Sequence, residues 1–588
     1  MENLLKKNQT HSNLFHIACL AFLVIIIYAN SLNVPFQWDE EMHIVNEPII
    51  KDFNYFLYPS EARGFEHYNF FISRYIAHLT FALNYRIHGL SVTGYHVVNI
   101  AIHMANAILV YLVVLLTFKT PLMSDSALKK DSRLIALLSS LLFAAHPLQT
   151  AAVTYVMQRF ASLVAFFYLL SVAAYVKSRL VDEGEETKAA GRYRRIFFYG
   201  ISFISAVLAM KTKENAFTLP FMIMIYEFCF FKGPLKRRMV SLVPILFLLG
   251  IIPLTLMSMA GAAGSGSSSL IDPGSYLAGF TWDYSRGEYF FTQFRVIVTY
   301  LRMLFLPLHL DLDYEYPVSR SLFEPQVAGS FVFLSLLFAI GVYLVRGKRQ
   351  KADTNDNVPI SNSSNNSSPD FRLMGFGILW FFIALSVESL VTTPRLIETY
   401  RAYLPSVGMI ICTVTGVFMI KKKTGHAIAD RMIMVIFVIA LVLMSFAAYR
   451  QNEAYGDGKK MWEDTVKRFP RYAMAHNKLG VFYIDKGMID KAMEQFLIAV
   501  ELKPDLEEAH NNLGNVYCTF NEFDKAAVQY MTTIKLNPNF AEAHFNLGLL
   551  YYRIGEIEKA KSELEAGLKI KPDVQRARQL LEELSRRK

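Results

Sequence analysis

Long blocks of apolar residues, separated by short polar and charged stretches, dominate the chain up to about residue 455. A helix needs roughly 20 mostly apolar residues to cross the hydrocarbon core of a bilayer. The blocks predict about eleven transmembrane helices, and the shorter ones are expected to borrow flanking residues. They lie near residues 14–30, 94–118, 134–145, 161–176, 196–210, 215–231, 241–258, 329–345, 372–391, 403–420 and 432–449. We therefore expect residues 1–455 to form an all-α, polytopic transmembrane helical bundle.

Two long loops interrupt the blocks, at residues 31–93 and 259–328. The second loop contains an apolar segment, 289–306, that carries Arg295 and Arg302. A charge at the centre of a bilayer costs about 2.5–3.5 kcal/mol, and residues seven apart share one face of a helix. This segment is therefore predicted to be an amphipathic helix that lies flat at the membrane interface.

The last quarter of the chain follows a different pattern, with a period of 34 residues. The run Leu-Gly-x-x-Tyr recurs in register at Leu479, Leu513 and Leu547. Prolines recur at the same period, at Pro470, Pro504, Pro538 and Pro572. This period is typical of tetratricopeptide repeats, which are helix pairs that stack into a solenoid. Residues 456–588 are therefore predicted to form a tetratricopeptide-repeat α-solenoid, with repeats at 473–506, 507–540 and 541–574 and a capping helix.

Most basic residues lie beside the apolar blocks, although the chain has a formal net charge of +10. Lysines and arginines follow every second block, as expected when basic loops stay in the cytoplasm. This pattern argues against nucleic-acid binding and predicts a cytoplasmic N-terminus. The Asn- and Ser-rich residues 346–371 are predicted to form a disordered cytoplasmic linker. An odd number of spans places the repeats on the non-cytoplasmic side of the membrane. The four cysteines lack the spacing of metal ligands, so we predict neither a metal nor a cofactor.

Acidic residues follow the first apolar block directly. The run Trp38-Asp39-Glu40-Glu41 lies near the start of the 31–93 loop. An aromatic residue beside an acid at a membrane surface lowers the local dielectric, which raises the proton affinity of the carboxylate and suits it to act as a base. The alternative interpretation is a solvated acidic loop.

Ionisable residues also lie at the predicted outer ends of several other blocks. Such residues are costly near a membrane and usually mark functional sites. Arginine and lysine at the level of lipid headgroups suit a phosphate, and a nearby carboxylate can activate an acceptor hydroxyl. The pattern favours a pocket for sugar transfer from a lipid phosphate. Its candidate residues are Arg74, His146, Arg159, Lys213, Glu398 and Arg401.

Three runs carry a resemblance to a known family. They are Gly-Tyr-His-x-x-Asn at 94–99, His-Pro-x-Gln-Thr at 146–150 with Gln158-Arg159, and Glu-x-x-Arg-x-Tyr-Leu-Pro-Ser-x-Gly at 398–408. With the Asp39-Glu40 pair, they make the chain resemble membrane glycosyltransferases of the C type that carry a tetratricopeptide tail. These are the protein O-mannosyltransferase-like proteins, and the resemblance covers nearly the whole chain.

The resemblance implies a GT-C-like bundle that uses a polyprenyl-phosphate sugar as donor and a Ser or Thr hydroxyl as acceptor. It implies Asp39 as the base or acceptor-binding acid, with Glu40 as its neighbour. By position it also implies donor-phosphate or pocket groups: His146, Arg159, Lys213 and Arg401. Relatives often carry Glu after the His-Pro-x-Gln-Thr run, where this chain has Ala151, a departure that shifts the expected catalytic load onto Asp39 and Glu40.

The first helix of each repeat is expected to line the concave face of the solenoid. Its asparagines can hold an extended acceptor peptide by the peptide backbone, although ordinary polar surface residues are the alternative. They are Asn477, Asn511, Asn512 and Asn546. Histidines also recur every 34 residues, at His476, His510 and His544. Successive repeats hold these histidines apart, so structural packing is expected and a shared metal ion is not.

These observations predict a membrane glycosyltransferase that acts on exported proteins, with the repeats binding the protein or peptide acceptor. The predicted location is the bacterial inner membrane, with multiple spans, a cytoplasmic N-terminus and periplasmic repeats. Two alternatives stay open. One is a non-catalytic membrane-anchored scaffold for envelope protein assembly, and the other is an oligosaccharide ligase.

Overall fold

The computed structural model describes residues 2–37, 40–65, 67–184, 189–262, 284–308, 310, 314, 316–346, 369–393, 395–424, 426–571 and 574–586. The regular structure of these residues is helical throughout, which confirms the predicted all-α class. Contacts divide the chain into two compact units. The first comprises residues 1–312 and 316–456, and the second comprises residues 313–315 and 457–588.

The first unit holds fourteen helices of ten residues or more within the described residues. They are α1 (Glu2–Tyr28), α2 (Tyr75–His88), α3 (Val92–Thr117), α4 (Ser132–Ala145), α5 (Arg159–Gly184), α6 (Ala189–Met210), α7 (Leu219–Phe230), α8 (Leu235–Leu246), α9 (Ile251–Ala262), α10 (Arg286–Phe305), α11 (Pro325–Arg346), α12 (Pro369–Leu390), α13 (Tyr403–Thr424) and α14 (Ala427–Gly456).

Nine helical segments among the described residues are long and apolar enough to cross a membrane, and one bent pair makes up to ten. The bent pair joins Lys129–Ala145 to Pro147–Val153 at 54°. The predicted block at 215–231 differs, because a 3-10 turn at Glu214–Thr218 precedes α7, which has only 12 residues. At 1.5 Å per residue, α7 is about 18 Å long and falls short of a typical span.

Despite its length, α7 runs along α12 from one end of the bundle toward the other. Just before α7, Lys213 pairs with Glu388 in the last turn of α12. At the other end of α7, the Phe230 ring lies 5.1 Å from the ring of Phe376, in the first third of α12. With α7 added to the nine segments and the bent pair, the described residues pass along the bundle eleven times, once for each predicted apolar block.

Two glycines let α12 and α13 approach each other at the level of their backbones. A Cβ atom at Gly377 would overlap the carbonyl oxygen of Gly408, and a Cβ at Gly408 would overlap that of Gly377. Small residues allow such close packing between helices in a membrane. The contact aligns α12, which carries Glu388, with the segment that leads into α13 and carries Arg401.

The second unit contains α15 (Gly458–Arg468) followed by stacked helix pairs. They are α16 (Ala473–Asp485) with α17 (Ile489–Leu502), α18 (Glu507–Thr519) with α19 (Phe523–Leu536), α20 (Ala541–Arg553) with α21 (Ile557–Ile570), and then α22 (Gln575–Arg586). The three pairs lie within the three predicted repeats. Of the four periodic prolines, Pro572 lies outside the described residues.

Each of the three periodic histidines bonds the first helix of its pair to the second. Nδ1 of His510 lies 2.7 Å from Oε1 of Gln529 in the second helix of its pair, and Nε2 lies 2.9 Å from the carbonyl oxygen of Pro504. His476 and His544 make the equivalent contacts with the second helix and with the preceding proline. The expected structural role of these histidines is confirmed.

Candidate functional site

Six charged side chains from four separate segments come together at one end of the first unit. We call them the ionic cluster: Arg74, Lys213, Glu214, Glu388, Glu398 and Arg401. Four of the six were predicted as pocket residues from the sequence, whereas Glu214 and Glu388 were not. The segments are the 31–93 loop, the turn before α7, the last turn of α12 and the 3-10 turn before α13.

Lys213 and Glu388 form the buried centre of the ionic cluster. Lys213 Nζ donates a hydrogen bond of 2.5 Å to Glu388 Oε1, and both side chains are about 10 % exposed. Nζ also lies 4.7 Å from the centroid of the Tyr400 ring, a cation–π contact. Among the described residues, Glu388 Oε2 is buried without a hydrogen-bond partner, so this oxygen can accept a hydrogen bond from a bound molecule.

Arg74 and Glu214 form a two-point ion pair beside this centre. Nε and Nη2 of Arg74 each donate to Glu214 at 3.1 Å. Burial alone would raise the pKa of Glu214, but the charge and hydrogen bonds of Arg74 outweigh it and hold the pKa below its usual value. Glu214 is therefore a carboxylate at neutral pH.

Arg401 and Glu398 lie on the other side of Lys213. Arg401 Nη2 donates to Glu398 Oε2 at 3.3 Å and to Thr393 Oγ1 at 2.8 Å, and the Tyr400 hydroxyl also donates to Glu398 Oε2. The α10 helix fixes this segment, because the Tyr300 hydroxyl donates to the Glu398 carbonyl oxygen at 2.9 Å. Arg395, half-exposed, lies 3.6 Å from Glu398 Oε1. With Arg395 included, four cations surround three carboxylates.

An apolar cavity of about 580 Å³ begins beside the ionic cluster. Its lining includes residues on both sides of Glu388, from Ser386 to Leu390, and Thr218, which lies five residues after Lys213. The wall also includes aromatic side chains from α7, α10, α11 and α12: Phe221, Phe290, Phe294, Phe338 and Phe382. A cavity of this composition suits a hydrocarbon chain whose polar end reaches the ionic cluster.

Glu40 is buried and holds the start of the 31–93 loop against the 3-10 turn Val156–Gln158, which precedes α5. Its Oε2 accepts the backbone N–H of Gln37 at 2.8 Å, and its Oε1 accepts the backbone N–H of Met157 at 2.9 Å. Glu41, the next acid, is exposed. Asp39, the predicted base, lies outside the described residues.

Arg159 and His146 are buried in the protein, away from any contact that would join them to the ionic cluster in the described part of the chain. Arg159 donates to the side-chain oxygens of Asn99 at 2.6 Å and Asn84 at 2.8 Å, and to the carbonyl oxygen of Tyr95 at 3.1 Å. Nε2 of His146 contacts the Leu304 carbonyl oxygen at 2.9 Å. These contacts connect α5 to α2 and α3, and the turn after α4 to α10, so the structure gives both residues a role in packing.

Ala151 is buried in the short helix Thr150–Val153. Its side chain belongs to an apolar core formed by the 31–93 loop and the start of α5. This position contributes apolar packing and no charge.

The four predicted asparagines pair between successive repeats. The carboxamide nitrogen of Asn512 donates to Asn477 Oδ1, and that of Asn546 donates to Asn511 Oδ1, both at 3.0 Å. The carboxamide oxygens of Asn512 and Asn546 take no part in these two bonds. The ladder therefore holds neighbouring first helices in register and orients its remaining polar atoms.

One further group of side chains has the composition of a metal site. Ligand atoms of His43, Glu47 and His67 all lie within 4.8 Å of one another. This group was not predicted from the sequence, because 20 residues separate Glu47 from His67. The pair His43 and Glu47, four residues apart, was the signal available.

Glu388 was also missed, although a signal was present. It is a carboxylate near the end of an otherwise apolar block, and an ionisable residue in such a place marks a functional site. Tyr289 and Tyr300 were missed because their hydroxyls bond backbone oxygens about 100 residues away. Such partners cannot be identified without the fold.

The fold and these sites define a multi-pass membrane protein with tetratricopeptide repeats. A model described as TPR repeat matches residues 480–519 and 520–555, and one described as Tetratricopeptide repeat matches residues 541–574. These matches confirm the predicted repeats.

Over most of its length the chain is similar to proteins named as O-mannosyl-transferases, so the resemblance seen in the sequence is confirmed. It is 24% identical to protein O-mannosyl-transferase F38B6.6 of Caenorhabditis elegans over 83% of this chain and 63% of that protein. It is also 24% identical to protein O-mannosyl-transferase TMTC1 of Homo sapiens over 83% of this chain and 55% of that protein. The chain thus spans about 55–63% of the length of these relatives. Among solved structures, a crystal structure of MamA matches 21% of this chain and 73% of its own, at 30% identity and a TM-score of 0.21.

Proposed function

We propose that the chain is a glycosyltransferase that moves a sugar from a polyprenyl-phosphate donor to Ser or Thr hydroxyls of exported proteins. The observation that carries the proposal is the ionic cluster beside the apolar cavity. The cavity accepts part of the polyprenyl chain, and the phosphate binds among Arg74, Lys213 and Arg401. The similarity to protein O-mannosyl-transferases supports mannose as the sugar.

The phosphate binds by exchanging partners within the ionic cluster. Each cation there is paired with a carboxylate, and Arg395 beside Glu398 brings the total to four cations and three carboxylates, which favours an additional anion. Because Lys213 and Arg401 are buried, their charges act in a low dielectric and attract a phosphate more strongly than exposed lysines would. The buried Oε2 of Glu388 is available to receive a hydrogen bond from the sugar.

Asp39 acts as the base that takes the proton from the acceptor hydroxyl, as the family resemblance implies. Glu40 positions it, because both Glu40 oxygens are used to hold the adjoining backbone. The missing carboxylate at Ala151 leaves Asp39 as the acid on which transfer depends. The repeats present the acceptor segment to this site, and the asparagine ladder binds the peptide backbone.

The proposed setting is a bacterial inner membrane with a cytoplasmic N-terminus and periplasmic repeats. The eleven passes along the bundle and the basic residues after alternate passes support this orientation.

The first test is transfer from a polyprenyl-monophosphate sugar to a Ser/Thr peptide by the purified full-length chain. Asp39→Asn is expected to reduce the rate roughly a hundredfold or more, since a positioned base contributes about that much. Glu41→Gln is the matched control, because Glu41 is an exposed acid two residues away, and it should stay near the wild-type rate. An unchanged rate for folded Asp39→Asn would favour the scaffold alternative, and transfer only from pyrophosphate-linked oligosaccharides would favour the ligase.

The second test examines phosphate binding. The double variant Lys213→Gln with Glu388→Gln removes a buried ion pair without leaving one charge alone. We expect the donor KM to rise about tenfold or more. Arg179→Gln with Glu227→Gln removes a buried pair that bonds at 3.0 Å toward the opposite end of α7, and its donor KM should not change. Equal effects of the two double variants would contradict the assignment.

A further inference from the structure

Three side chains from separate turns of the 31–93 loop converge on one point. His43 lies in the π-helical turn Glu41–Val45. Glu47 caps the short helix Pro48–Lys51, where Oε1 accepts the backbone N–H of Ile49 at 3.1 Å. His67 precedes the helix Tyr68–Ser73. Their ligand atoms lie within 4.8 Å of one another, so the loop folds back on itself at this point.

The distances require only small side-chain rotations to hold an ion. In a tetrahedral zinc site with bonds of about 2.0–2.1 Å, neighbouring ligand atoms are about 3.4 Å apart. His67 Nδ1 and Glu47 Oε2 are 2.8 Å apart, so this pair must open slightly. The remaining distances, at no more than 4.8 Å, must shorten by about 1.4 Å or less.

The ligand types decide which ion fits. Two imidazoles and one carboxylate suit zinc and neighbouring transition metals, whereas magnesium and calcium prefer oxygen ligands throughout. We propose that His43, Glu47 and His67 bind one divalent transition-metal ion of the zinc type. Three protein ligands leave a fourth position for water, as in zinc sites that exchange a ligand.

The surroundings favour a defined site over a chance meeting of side chains. Glu47 is 3 % exposed, while His43 and His67 are half-buried, so an ion can enter from solvent. The His43 ring packs against His67 at 4.6 Å and against Phe70 at 5.0 Å, which limits its rotation. Phe70 in turn packs on the Arg74 guanidinium at 4.5 Å. A bound ion would therefore fix the turn after Glu40 relative to the helix that leads to Arg74.

A hydrogen bond between His67 and Glu47 is the competing explanation. It involves those two residues, and His43 adds a second imidazole 4.6 Å from the first.

The test measures metal binding by the full-length chain, purified in detergent through a tag without histidine. After treatment with a chelator, the chain is loaded with Zn²⁺, desalted and analysed for bound metal, and Co²⁺ loading is followed by its visible absorption. We expect about one equivalent of Zn²⁺ and a tetrahedral Co²⁺ spectrum, with no retention of Mg²⁺. His67→Gln and His43→Gln should each lower Zn²⁺ affinity at least tenfold.

His88→Gln is the matched control, because His88 is an exposed histidine of α2, and it should retain the wild-type stoichiometry. Wild-type chain without stoichiometric Zn²⁺ at micromolar concentration would overturn the proposal, even if a variant failed to fold. Undiminished binding by folded His67→Gln would do the same. The assay does not involve sugar transfer, so its outcome is independent of the proposed function.

Discussion

His78 lies buried among Phe70, Phe71 and Phe160, and its Nδ1 contacts the carbonyl oxygen of Arg74 at 3.0 Å. Burial lowers its pKa from 6.5 to about 4, and the nearby Arg74 charge adds to this effect. The neutral ring therefore belongs to the folded state at neutral pH. In the unfolded chain the same ring takes up a proton near pH 6.5.

Acid should therefore destabilise the fold through His78. Its contribution is fully present above pH 6.5 and is lost as the pH falls toward 4, by up to about 3 kcal/mol. We expect His78→Gln to weaken the dependence of the unfolding midpoint on pH between 7 and 5, measured by thermal unfolding in detergent. His88→Gln should keep the wild-type slope. An identical slope for His78→Gln would show that the ring is already charged in the folded state.

Arg159 shows how one buried residue can hold several elements. Its guanidinium bonds Asn99 in α3 and Asn84 in α2, and lies 4.4 Å from the Phe81 ring centroid. Lysine cannot reproduce the planar fork, so Arg159→Lys leaves buried oxygens without donors. We expect a loss of about 1–3 kcal/mol for each oxygen left without a donor, seen as aggregation or low recovery on size-exclusion chromatography. Arg86→Lys, an exposed arginine of α2, should behave as wild type.

At the scale of elements, the packing of α12 on α13 sets the geometry of the ionic cluster. Gly377 and Gly408 allow the two backbones to touch, and Trp380 Nε1 donates to the Leu404 carbonyl oxygen at 2.9 Å in the same contact. Glu388 near the end of α12 and Arg401 just before α13 both lie beyond this contact, at the end of the first unit that holds the ionic cluster. A change in helix separation here moves the two charges relative to each other.

Gly408→Ala should therefore damage the site without removing any of its residues. Overpacking costs about 1–3 kcal/mol, and we expect a lower unfolding midpoint together with a higher donor KM. The control is Gly200→Ala in α6, where an added Cβ meets no atom within 4 Å. A Gly408→Ala protein with wild-type midpoint and KM would show that the helices tolerate a wider separation.

The sequence predicted the helices and repeats better than it predicted which residues contact each other. Apolar blocks and the 34-residue period are local patterns, and both appear in the fold. The ion pair of Lys213 with Glu388 joins residues 175 positions apart. The order of charged residues along the sequence does not show which of them will pair in the fold. Arg159 illustrates the opposite difficulty, since a buried arginine looks the same in sequence whether it binds phosphate or holds helices together.

At the scale of the whole molecule, two compact units share one chain. The first contains the ionic cluster and the apolar cavity, and the second contains the helix pairs and the asparagine ladder. Under the proposed function, the first unit catalyses sugar transfer and the second unit binds the protein acceptor.

Truncation near Arg471 should therefore affect acceptors unequally. We expect transfer to a folded protein acceptor to fall about tenfold or more in kcat/KM, while transfer to a short Ser/Thr peptide changes little. The comparison is made with equal amounts of monodisperse enzyme. Equal loss for both acceptors would point to a role of the repeats in folding.

The contacts of the periodic histidines affect how such chains can change length. Each histidine and its two partners lie within about 26 residues of sequence, from Pro470 through His476 to Gln495 in the first repeat. This stretch is shorter than the 34-residue period. Whole modules can therefore be gained or lost during evolution without breaking the histidine contacts of a neighbouring module. The reach of the repeat array can evolve in discrete steps while the membrane unit stays the same.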